Sequence, residues 1–600
     1  MIKENKIRKI TALLLLFLSV LLIYWGALRH DFIRANDDEV YVLANQAIKG
    51  LTLQNIKIAF SQFYLGNYAP LHIISYMVDY TFWGLNPLGY ILTNILLHAV
   101  NALFFYILLT RVGVNRISAL AAAAIFAWHP VQVESVAWVS ERKNVLAMVF
   151  FLLSFHFYLS YRKQTSKSFF VASLLAYAAS LLTKPVGVIF PIVLVGYDLC
   201  LTQPRQFKIA DKIPYLCLAI GAGALAMLSQ SPEYLGGRTE YHGGATITTF
   251  MTMLPVLLRY LSLVFFPLNL SILYNPPIKT ELDLAVAMSG IFAILIIVAG
   301  IILYRRQRSL FFWFFLFFVG LIPVSQIVPI VTLMNDRYLY FPLIGAAPFL
   351  VLAANAATAR LGYIAKKVAC IVICLPILAL PYFSLQRVKV WNNSMSLWTD
   401  AAKKVPEVPA VWNGLGNAFI FNNKTEAALG YFEKALKLDP VNKTALYSTA
   451  IIYSVFGKYD EAERRFLFLV GSHPDYAAGY VGLCENRLFK GDLPSAESAC
   501  NAASIKGDSQ KLWTLYGIIH AKNGKFMSAE EYFHRASKSA VMPYDISFSN
   551  ALEEASRGEF EAGRTSLHAA FAEGIQTLPM LNRTLYLRML SAVPFSSKLM

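Results

Sequence analysis

The stretch ITALLLLFLSVLLIYWGAL, residues 10–28, holds 19 residues without a charge. A run of this length is long enough to cross the hydrocarbon core of a bilayer as a helix. Residues 1–9 before it are basic, and many further apolar runs follow it in the chain. We therefore interpret it as a membrane span rather than as a cleaved signal peptide. The basic N-terminal end favours the cytoplasmic side, so the residues after Leu28 should lie outside.

The composition fits a membrane domain followed by a soluble one. The 600-residue chain is 57% hydrophobic, and its mean hydropathy of +0.51 is too high for a water-soluble protein of this length. Apolar runs continue to about residue 390, and beyond it charged residues recur every few positions. Much of the net charge of +17 lies in short loops between the apolar runs. That pattern is typical of cytoplasmic loops, so we exclude nucleic-acid binding.

Apolar runs that alternate with basic loops predict eleven membrane spans, with the N-terminus inside. They are residues 10–28, 88–109, 117–128, 145–161, 168–183, 186–201, 214–230, 284–304, 310–333, 339–356 and 368–386. Residues 251–273 are also apolar enough, but Arg259 interrupts them, and counting them would put Arg305 outside. We favour an interfacial or re-entrant segment there and leave a span open. Eleven spans place the soluble domain and the loop after the first span on one external face.

Three polar side chains lie within the second predicted span. Asn94, His98 and Asn101 share one helical stripe, because they fall at positions i, i+4 and i+7. We expect them to make hydrogen bonds between helices rather than to bind a substrate.

The predicted external loops bring acids and bases to one side of the membrane. Transfer of a sugar from a lipid phosphate to a hydroxyl needs a carboxylate that accepts the hydroxyl proton. It also needs cations that stabilise the departing phosphate, as arginine and lysine side chains do. The loops supply both kinds of group: Asp37, Asp38, Glu39, His129, Glu134, Arg142, Lys143, Lys184, Asp336 and Arg337. Most spans carry no charge near their centres, which argues against a transporter.

Residues 391–600 repeat with a period of 33–34 residues. One column holds small side chains: Gly416, Ala450, Cys484, Gly517 and Ala551. A second column holds mostly bulky ones: Trp398, Phe432, Phe466, Cys500, Phe533 and Leu567. The turns are marked by Gly457, Gly491, Gly524 and Gly558 and by Pro406, Pro440 and Pro474. This is the tetratricopeptide pattern, in which helix pairs stack into a solenoid. Cys484 and Cys500 fall in two packing columns, so we interpret them as small core residues, with a disulfide as the alternative in an oxidising compartment. No Cys-x-x-Cys spacing occurs, so no metal site is predicted.

Several motifs resemble those of one family, in the same order along nearly the whole chain. They are Asn36-Asp37-Asp38-Glu39-Val40-Tyr41, Asn67-Tyr68-Ala69-Pro70-Leu71, Gly84-Leu85-Asn86-Pro87, Asn94-Ile95-Leu96-Leu97-His98, His129-Pro130-Val131-Gln132-Val133-Glu134-Ser135-Val136, Thr183-Lys184-Pro185 and Asp336-Arg337-Tyr338-Leu339-Tyr340-Phe341-Pro342. The chain resembles the transmembrane O-mannosyltransferases with tetratricopeptide repeats, specifically their bacterial relatives, and through them the wider protein O-mannosyltransferases with the GT-C membrane fold. The resemblance implies a polyprenyl-phosphate-linked sugar as donor, a catalytic base in the first acidic loop, and no metal or other cofactor. Ala69, Gln132 and residues 141–144 depart from the family pattern, which leaves the sugar open between mannose and another hexose.

We predict an all-α protein, with a GT-C-like membrane glycosyltransferase domain over residues 1–390 and a tetratricopeptide-repeat solenoid over residues 391–600. The predicted function is inverting transfer of a sugar to a Ser or Thr hydroxyl of a protein acceptor that the solenoid holds, at the outer face of a bacterial cytoplasmic membrane. Asp37 is the first choice for the base and Asp38 the second. The remaining roles are orientation or acceptor binding for Glu39, His129 and Glu134, and lipid-phosphate binding for Arg142, Lys184, Arg337 and Tyr338. The alternative function is a non-catalytic membrane anchor that presents the solenoid as a scaffold for envelope assembly.

Overall fold

The computed structural model describes residues 2–202, 208–231 and 240–600, with side chains from residue 10 onward. Helices dominate these ranges, and none of the described residues forms a β-strand. The all-α prediction is therefore confirmed for this part of the chain. The chain separates into two compact units, Met1–Asp400 and Ala401–Met600.

The first unit is a set of helices, many of them strongly apolar. They are α1 (Ile2–Tyr24), α2 (Leu53–Ser61), α3 (Pro70–Trp83), α4 (Pro87–Arg111), α5 (Arg116–Trp128), α6 (Val133–Ala137), α7 (Arg142–Gln164), α8 (Lys167–Thr183), α9 (Phe190–Leu201), α10 (Ile213–Ser229), α11 (Thr246–Phe265), α12 (Leu284–Arg306), α13 (Arg308–Leu321), α14 (Leu343–Thr358) and α15 (Tyr363–Val390). Helix α16 (Ser394–Lys404) contains the boundary to the second unit.

Six stretches of helix in the described ranges are long and apolar enough to cross a membrane, which indicates a membrane protein. They are Ile10–Arg29, Pro87–Arg111, Val139–Gln164, Thr246–Phe265, Leu284–Arg306 and Tyr363–Val390. The eleven predicted spans are therefore not reproduced. Other predicted spans fold as shorter helices: Arg116–Trp128 has 13 residues, or about 20 Å of helix against a hydrocarbon core of about 30 Å. Thr246–Phe265 is one of these six long helices. The interpretation of this region as interfacial or re-entrant therefore depends only on the charges of the loops.

Helix α4 lies at the centre of the packing in the first unit. It begins at Pro87, and the side chain of Asn86 caps it by accepting a hydrogen bond from Leu88 N at 3.1 Å. Its polar stripe bonds to neighbouring elements: Asn94 Nδ2 to Trp138 O at 3.1 Å, His98 Nδ1 to Tyr340 Oη at 2.8 Å, and Asn101 Nδ2 to Val145 O at 2.8 Å. The predicted hydrogen bonding between helices is confirmed for Asn101, which bonds to α7.

The second unit is a stack of helix pairs. They are α17 (Pro409–Phe421) with α18 (Thr425–Leu438), α19 (Lys443–Val455) with α20 (Tyr459–Ser472), α21 (Ala477–Lys490) with α22 (Leu493–Lys506), α23 (Gln510–Lys522) with α24 (Phe526–Ser539), and α25 (Pro543–Ser556) with α26 (Phe560–Glu573); α27 (Met580–Ala592) and α28 (Ser596–Leu599) follow. The predicted columns are confirmed where the helices of a pair touch, because a Cβ added to Gly517 would lie 2.4 Å from the buried ring of Phe533. The predicted turn glycines have positive φ, and Asn423, with φ of 58°, takes that position in the first pair.

A disulfide joins Cys484 of α21 to Cys500 of α22. Both residues are buried in the hydrophobic core of the solenoid, as their columns predicted. The interpretation that we favoured from the sequence, two unpaired core residues, is wrong, and the alternative holds. The reason is geometric: the packing that brings the two columns into contact also places the Cα atoms 5.3 Å apart, within the reach of a disulfide.

Candidate active site

Six charged side chains from four separate segments meet in the first unit. We call Asp37, Glu134, Glu141, Lys143, Lys184 and Arg337 the charged cluster. Lys143 Nζ lies 3.8 Å from Asp37 Oδ2 and 3.2 Å from Glu141 Oε1. Arg337 connects the far side, 3.5 Å from Glu141 Oε1 and 2.5 Å from Glu134 Oε1. Four residues that the sequence analysis selected, Asp37, Glu134, Lys184 and Arg337, therefore belong to one continuous network.

Glu141 is the centre of the charged cluster. Its carboxylate is buried, and it faces Lys143, Lys184 and Arg337 at 3.2–3.5 Å. Asn144 Nδ2 donates a hydrogen bond to Glu141 Oε2 at 2.8 Å. The sequence analysis gave Glu141 no role and recorded residues 141–144 only as a departure from the family pattern. Lys143 is close in sequence, but Lys184 and Arg337 come from distant segments, so no local pattern could have shown that three cations surround this residue.

Glu134 fixes the position of Arg337. Its Oε1 accepts a hydrogen bond from Arg337 Nη1 at 2.5 Å, and its Oε2 accepts one from the Arg337 backbone amide at 2.9 Å. The guanidinium also lies over the rings of Trp138 and Tyr338, at 5.6 and 5.5 Å from the centroids. The side chain of Arg337 remains 17% exposed. Glu134 thus holds Arg337 through two hydrogen bonds, while Arg337 keeps one edge open. The role predicted for Glu134, acceptor binding or orientation of the site, stays a prediction.

Lys184 is the cation of the charged cluster whose pKa is lowered rather than raised. Its Nζ donates to Asn144 Oδ1 at 2.7 Å and to Glu141 Oε2 at 3.4 Å, and the side chain is 19% exposed. Burial lowers the pKa of Lys184 from 10.5 to about 8; Glu141 opposes this shift, whereas the neighbouring charges of Lys143 and Arg337 add to it. A new anion beside this ammonium would favour its charged form.

The two candidate bases are placed very differently. Asp38 is fully buried: its Oδ2 accepts from Ile33 N at 2.8 Å, and its Oδ1 accepts from both the amide and the hydroxyl of Ser140. Burial raises the pKa of Asp38 to about 7, although these hydrogen bonds favour its ionised form. Asp37, by contrast, keeps a carboxylate that is 32% exposed beside Lys143. Asp38 therefore ties the first loop to the segment before α7, and Asp37 is the carboxylate that a substrate could reach.

Arg142 lies outside the charged cluster, although it is adjacent to Lys143 in the chain. Its guanidinium is fully buried, paired with Asp79 at 2.5 Å, and it donates to Asn94 Oδ1 at 2.8 Å and to Tyr90 O at 2.7 Å. It also lies over the ring of Tyr76. With its donors used inside the protein, this arginine is placed to hold α3, α4 and α7 together. The structure thus argues against the phosphate-binding role predicted for it.

The other selected residues lie at the border of the charged cluster. His129 is buried and bonds to Val264 O of α11 at 3.0 Å, and burial lowers its pKa to about 4, so it is a neutral packing residue. Glu39 begins a π-helical turn, Glu39–Leu43, and burial raises its pKa although Arg34 opposes this. The hydroxyl of Tyr338 bonds to Thr332 Oγ1 at 2.5 Å. Of the three, only Tyr338 contacts a member of the charged cluster directly, through Arg337.

A second group of charges marks the other end of α7. Arg162 Nη1 contacts Asp198 Oδ1 at 2.6 Å, and Lys212 Nζ pairs with Asp198 and with Asp211, the latter at 2.6 Å. Arg162 lies about 20 residues beyond Lys143 on one helix, which corresponds to about 30 Å. That length matches the hydrocarbon core of a bilayer. The two charged groups are therefore placed as the two water-facing ends of one membrane helix would be.

No group of three or more His, Cys, Asp or Glu side chains in the described ranges is arranged to hold a metal ion. The three cations of the charged cluster are the groups there that could bind an anionic ligand. Catalysis without a metal stays a prediction.

Comparison with known proteins finds one repeat family and a group of similar transferases. Tetratricopeptide repeat is the family that matches residues 409–442. The chain is similar to protein O-mannosyl-transferase TMTC3 of Mus musculus, with 23% identity over 591 residues, and to its Homo sapiens counterpart, with 22% over 595 residues. Each alignment covers 86% of this chain and 62% of the relative. The chain thus spans less than two thirds of the length of these relatives.

Shorter similarities point to the same group of proteins. Protein O-mannosyl-transferase TMTC1 of Homo sapiens is 24% identical over 435 residues, which cover 63% of this chain and 49% of that protein. Among solved structures, a thermophilic tetratricopeptide-repeat protein of Thermus thermophilus is 25% identical, covers 31% of this chain and 98% of its own, and has a TM-score of 0.27. The similarities to the TMTC proteins and the repeat match together support a relative of those proteins that carries tetratricopeptide repeats.

Proposed function

We propose that this protein is a membrane glycosyltransferase that moves a sugar from a lipid-phosphate donor to a Ser or Thr hydroxyl of a protein acceptor. The observation that carries the proposal is the partly exposed carboxylate of Asp37 beside Lys143, at the edge of a cluster of cations. A general base must be ionised and must reach the substrate. Asp38 fits this less well, because its oxygens are used inside the protein. The names of these relatives, protein O-mannosyl-transferases, support the reaction class.

In the proposed reaction the acceptor hydroxyl attacks the anomeric carbon of the sugar while Asp37 accepts its proton. The bond between the anomeric carbon and the phosphate oxygen breaks, and the phosphate leaves with the electron pair. Lys184, Arg337 and Lys143 would stabilise the negative charge on the leaving phosphate. Attack from the side opposite the phosphate inverts the configuration of the sugar. The family resemblance extends the proposal to a polyprenyl phosphate donor, a mannose-like hexose, and catalysis without a metal.

The proposed site faces the exterior or the periplasm of a bacterial cell, at its cytoplasmic membrane, and the solenoid is exposed outside the cytoplasm. The disulfide between Cys484 and Cys500 supports this orientation, because such bonds persist mainly in oxidising compartments. The solenoid is then available to hold an acceptor protein outside the cytoplasm.

One observation favours the scaffold alternative. The charged cluster contains three acids and three bases, so their charges can balance one another without any bound ligand. In that case Asp37 would be a surface residue, and neutralising it would leave the function of the protein unchanged.

Replacing Asp37 by Asn tests the proposal. The substitution keeps the size of the side chain but removes its ability to accept a proton, and losing a general base typically lowers the rate about 10²–10⁴-fold. Donor binding should stay unchanged. Asp31→Asn is the matched control, since Asp31 is an exposed carboxylate of the same loop, with one local hydrogen bond to Phe32 N. The assay is transfer in membranes with purified donor. If Asp37→Asn keeps full transfer, Asp37 is not the base. If membranes that lack this protein transfer the sugar equally well, the scaffold alternative replaces the enzyme.

A further inference from the structure

Helix α27 turns back onto the repeats that precede it. The chain leaves α26 through Gly574 and the short turn Ile575–Thr577, and α27 starts after Pro579. It then packs against α19 and α23, the first helices of two different repeats. Consecutive first helices also contact each other, as α19 does with α21 and α21 with α23. We call the surface formed by α19, α21, α23 and α25 the inner groove of the solenoid.

The apolar side of α27 is buried in the inner groove. Leu581, Leu585 and Met589 recur every four residues on one helical face, and all three are buried with Leu590. On the opposite face Leu587 is 44% exposed. The helix therefore has the amphipathic pattern of a ligand that lies in a hydrophobic groove.

Polar contacts hold both ends of α27, and they come from other repeats. Arg588 donates to Ser454 O at 2.7 Å and to Val455 O at 2.5 Å, the last carbonyls of α19, where the helix dipole favours a cation. At the other end, Asn423 Oδ1 accepts a hydrogen bond from Met580 N at 2.7 Å and so caps the start of α27. These are recognition contacts by repeat residues rather than contacts of a further stacked repeat.

Helix α27 leaves a cavity open at one end of its contact with the repeats. The cavity has a volume of about 480 Å³, lies beside the first turn of α27, and is lined by Lys424 and Glu426 at the start of α18, by Phe456 after α19, and by Leu581 and Thr584 of α27, among others. A cavity of this size at one end of the contact shows that α27 does not fill the whole surface that the first two repeats present. A longer helix could occupy the same place.

We propose that the inner groove binds an amphipathic helix of a protein partner, and that α27 is an intramolecular ligand that must leave before the partner enters. The partner helix carries apolar side chains at positions i, i+4 and i+8 and an arginine at i+7, the positions of Leu581, Leu585, Met589 and Arg588. That this partner is the acceptor of the sugar rests on the proposed function. The replacement of α27 by a partner helix does not depend on the proposed function.

The test uses the full chain in detergent, with a specific protease site inserted between Thr577 and Leu578. The probe is a fluorescent peptide of residues 579–593, and its binding is measured by anisotropy before and after cleavage. Before cleavage, α27 competes at a high effective concentration, so the probe should bind at least about tenfold more weakly than afterwards. The Arg588→Ala peptide should lose at least about tenfold in affinity, because it loses a charged donor to two carbonyls. The Arg583→Ala peptide is the matched control: it has the same change of charge, but Arg583 makes only a 3.3 Å bond to Gln576 O.

Three outcomes would overturn the inference: equal probe binding before and after cleavage, no exchange of the cleaved segment with excess probe over a day, or equal affinity of the Arg588→Ala and unmodified peptides. Hydrogen exchange on the unmodified chain is a second test that needs no insertion. Amides of α27 should exchange faster than those of α23, and equal protection would mean that α27 is a permanent part of the core. Neither test contains a sugar donor, so its result is independent of the transferase proposal.

Discussion

Lys184 gives the proposed function a specific pH dependence. Its pKa is lowered to about 8, so it loses its charge well below the ordinary value of 10.5. The charge needed for phosphate binding is complete below that pKa and is lost as the pH rises through it. At one pH unit above the pKa, roughly a tenth of the side chains remain charged. We therefore expect kcat/KM for the donor to fall about tenfold per pH unit above pH 8.

The fall of kcat/KM above pH 8 is the alkaline limb of the pH–rate profile. The Lys184→Arg variant tests whether Lys184 causes this limb. Arginine stays charged throughout the accessible range, so the limb near pH 8 should disappear even if the different side-chain shape lowers the overall rate. Lys163→Arg is the control, since Lys163 is exposed near the far end of α7, and its limb should match the wild type. The measurement is the initial rate of sugar transfer at low donor concentration, from pH 6.5 to about pH 10.

A second comparison uses saturating donor. A bound phosphate favours the charged ammonium, so the limb in kcat should lie at higher pH than the limb in kcat/KM. A limb near pH 8 that persists in Lys184→Arg would refute the reasoning, because another group would then titrate. Coincident limbs in kcat and kcat/KM would show that the donor phosphate does not contact Lys184.

Three further predictions concern stability. Arg142→Ala leaves Asp79 unpaired in the protein interior and should destabilise the first unit by about 3–5 kcal/mol, seen as a lower Tm in detergent rather than as a raised KM for donor. Gly517→Ala should cost the solenoid about 1–3 kcal/mol through overpacking, whereas Gly430→Ala, with open space around its added Cβ, should be neutral or stabilising by thermal melting; equal effects would contradict the packing. Cys484→Ala should cost about 3 kcal/mol for opening a loop with a sequence separation of 16 residues, and an unchanged Tm under reducing conditions would disprove the bond.

The solenoid was predictable because its signal repeats. Small residues, bulky residues and turn glycines recur together, so a wrong assignment at one position is corrected by the others. Asn423 shows the limit of this signal, since it takes the turn position without being a glycine. Helix α27 lies outside the period, and its position depends on contacts with α19 and α23 that no local pattern encodes.

The sequence predicted which loops contribute to the candidate site, but not which of their side chains contact one another. Motif residues on one side of the membrane led to Asp37, Lys184 and Arg337, and the structure brings these into one cluster. Arg142 and Lys143 could not be separated, because neighbours at the start of a helix point about 100° apart and either one can face the interior. The count of eleven spans is not reproduced because six of the apolar runs form helices of only 10–17 residues, and hydrophobicity alone does not set the length of a helix.

The hydrogen bonds between Asp38 and Ser140 have a consequence for motion. They fasten the first loop to the segment from which α7 begins, and Lys143 holds Asp37 from the same helix. If Asp37 is the base, as we propose, its carboxylate and the 23-residue helix α7 should then shift together. Rearrangements that admit a bulky lipid or release a product would have to come from the segments that carry Lys184 and Arg337, so slow steps of turnover should respond to changes in those segments and not to changes in the first loop.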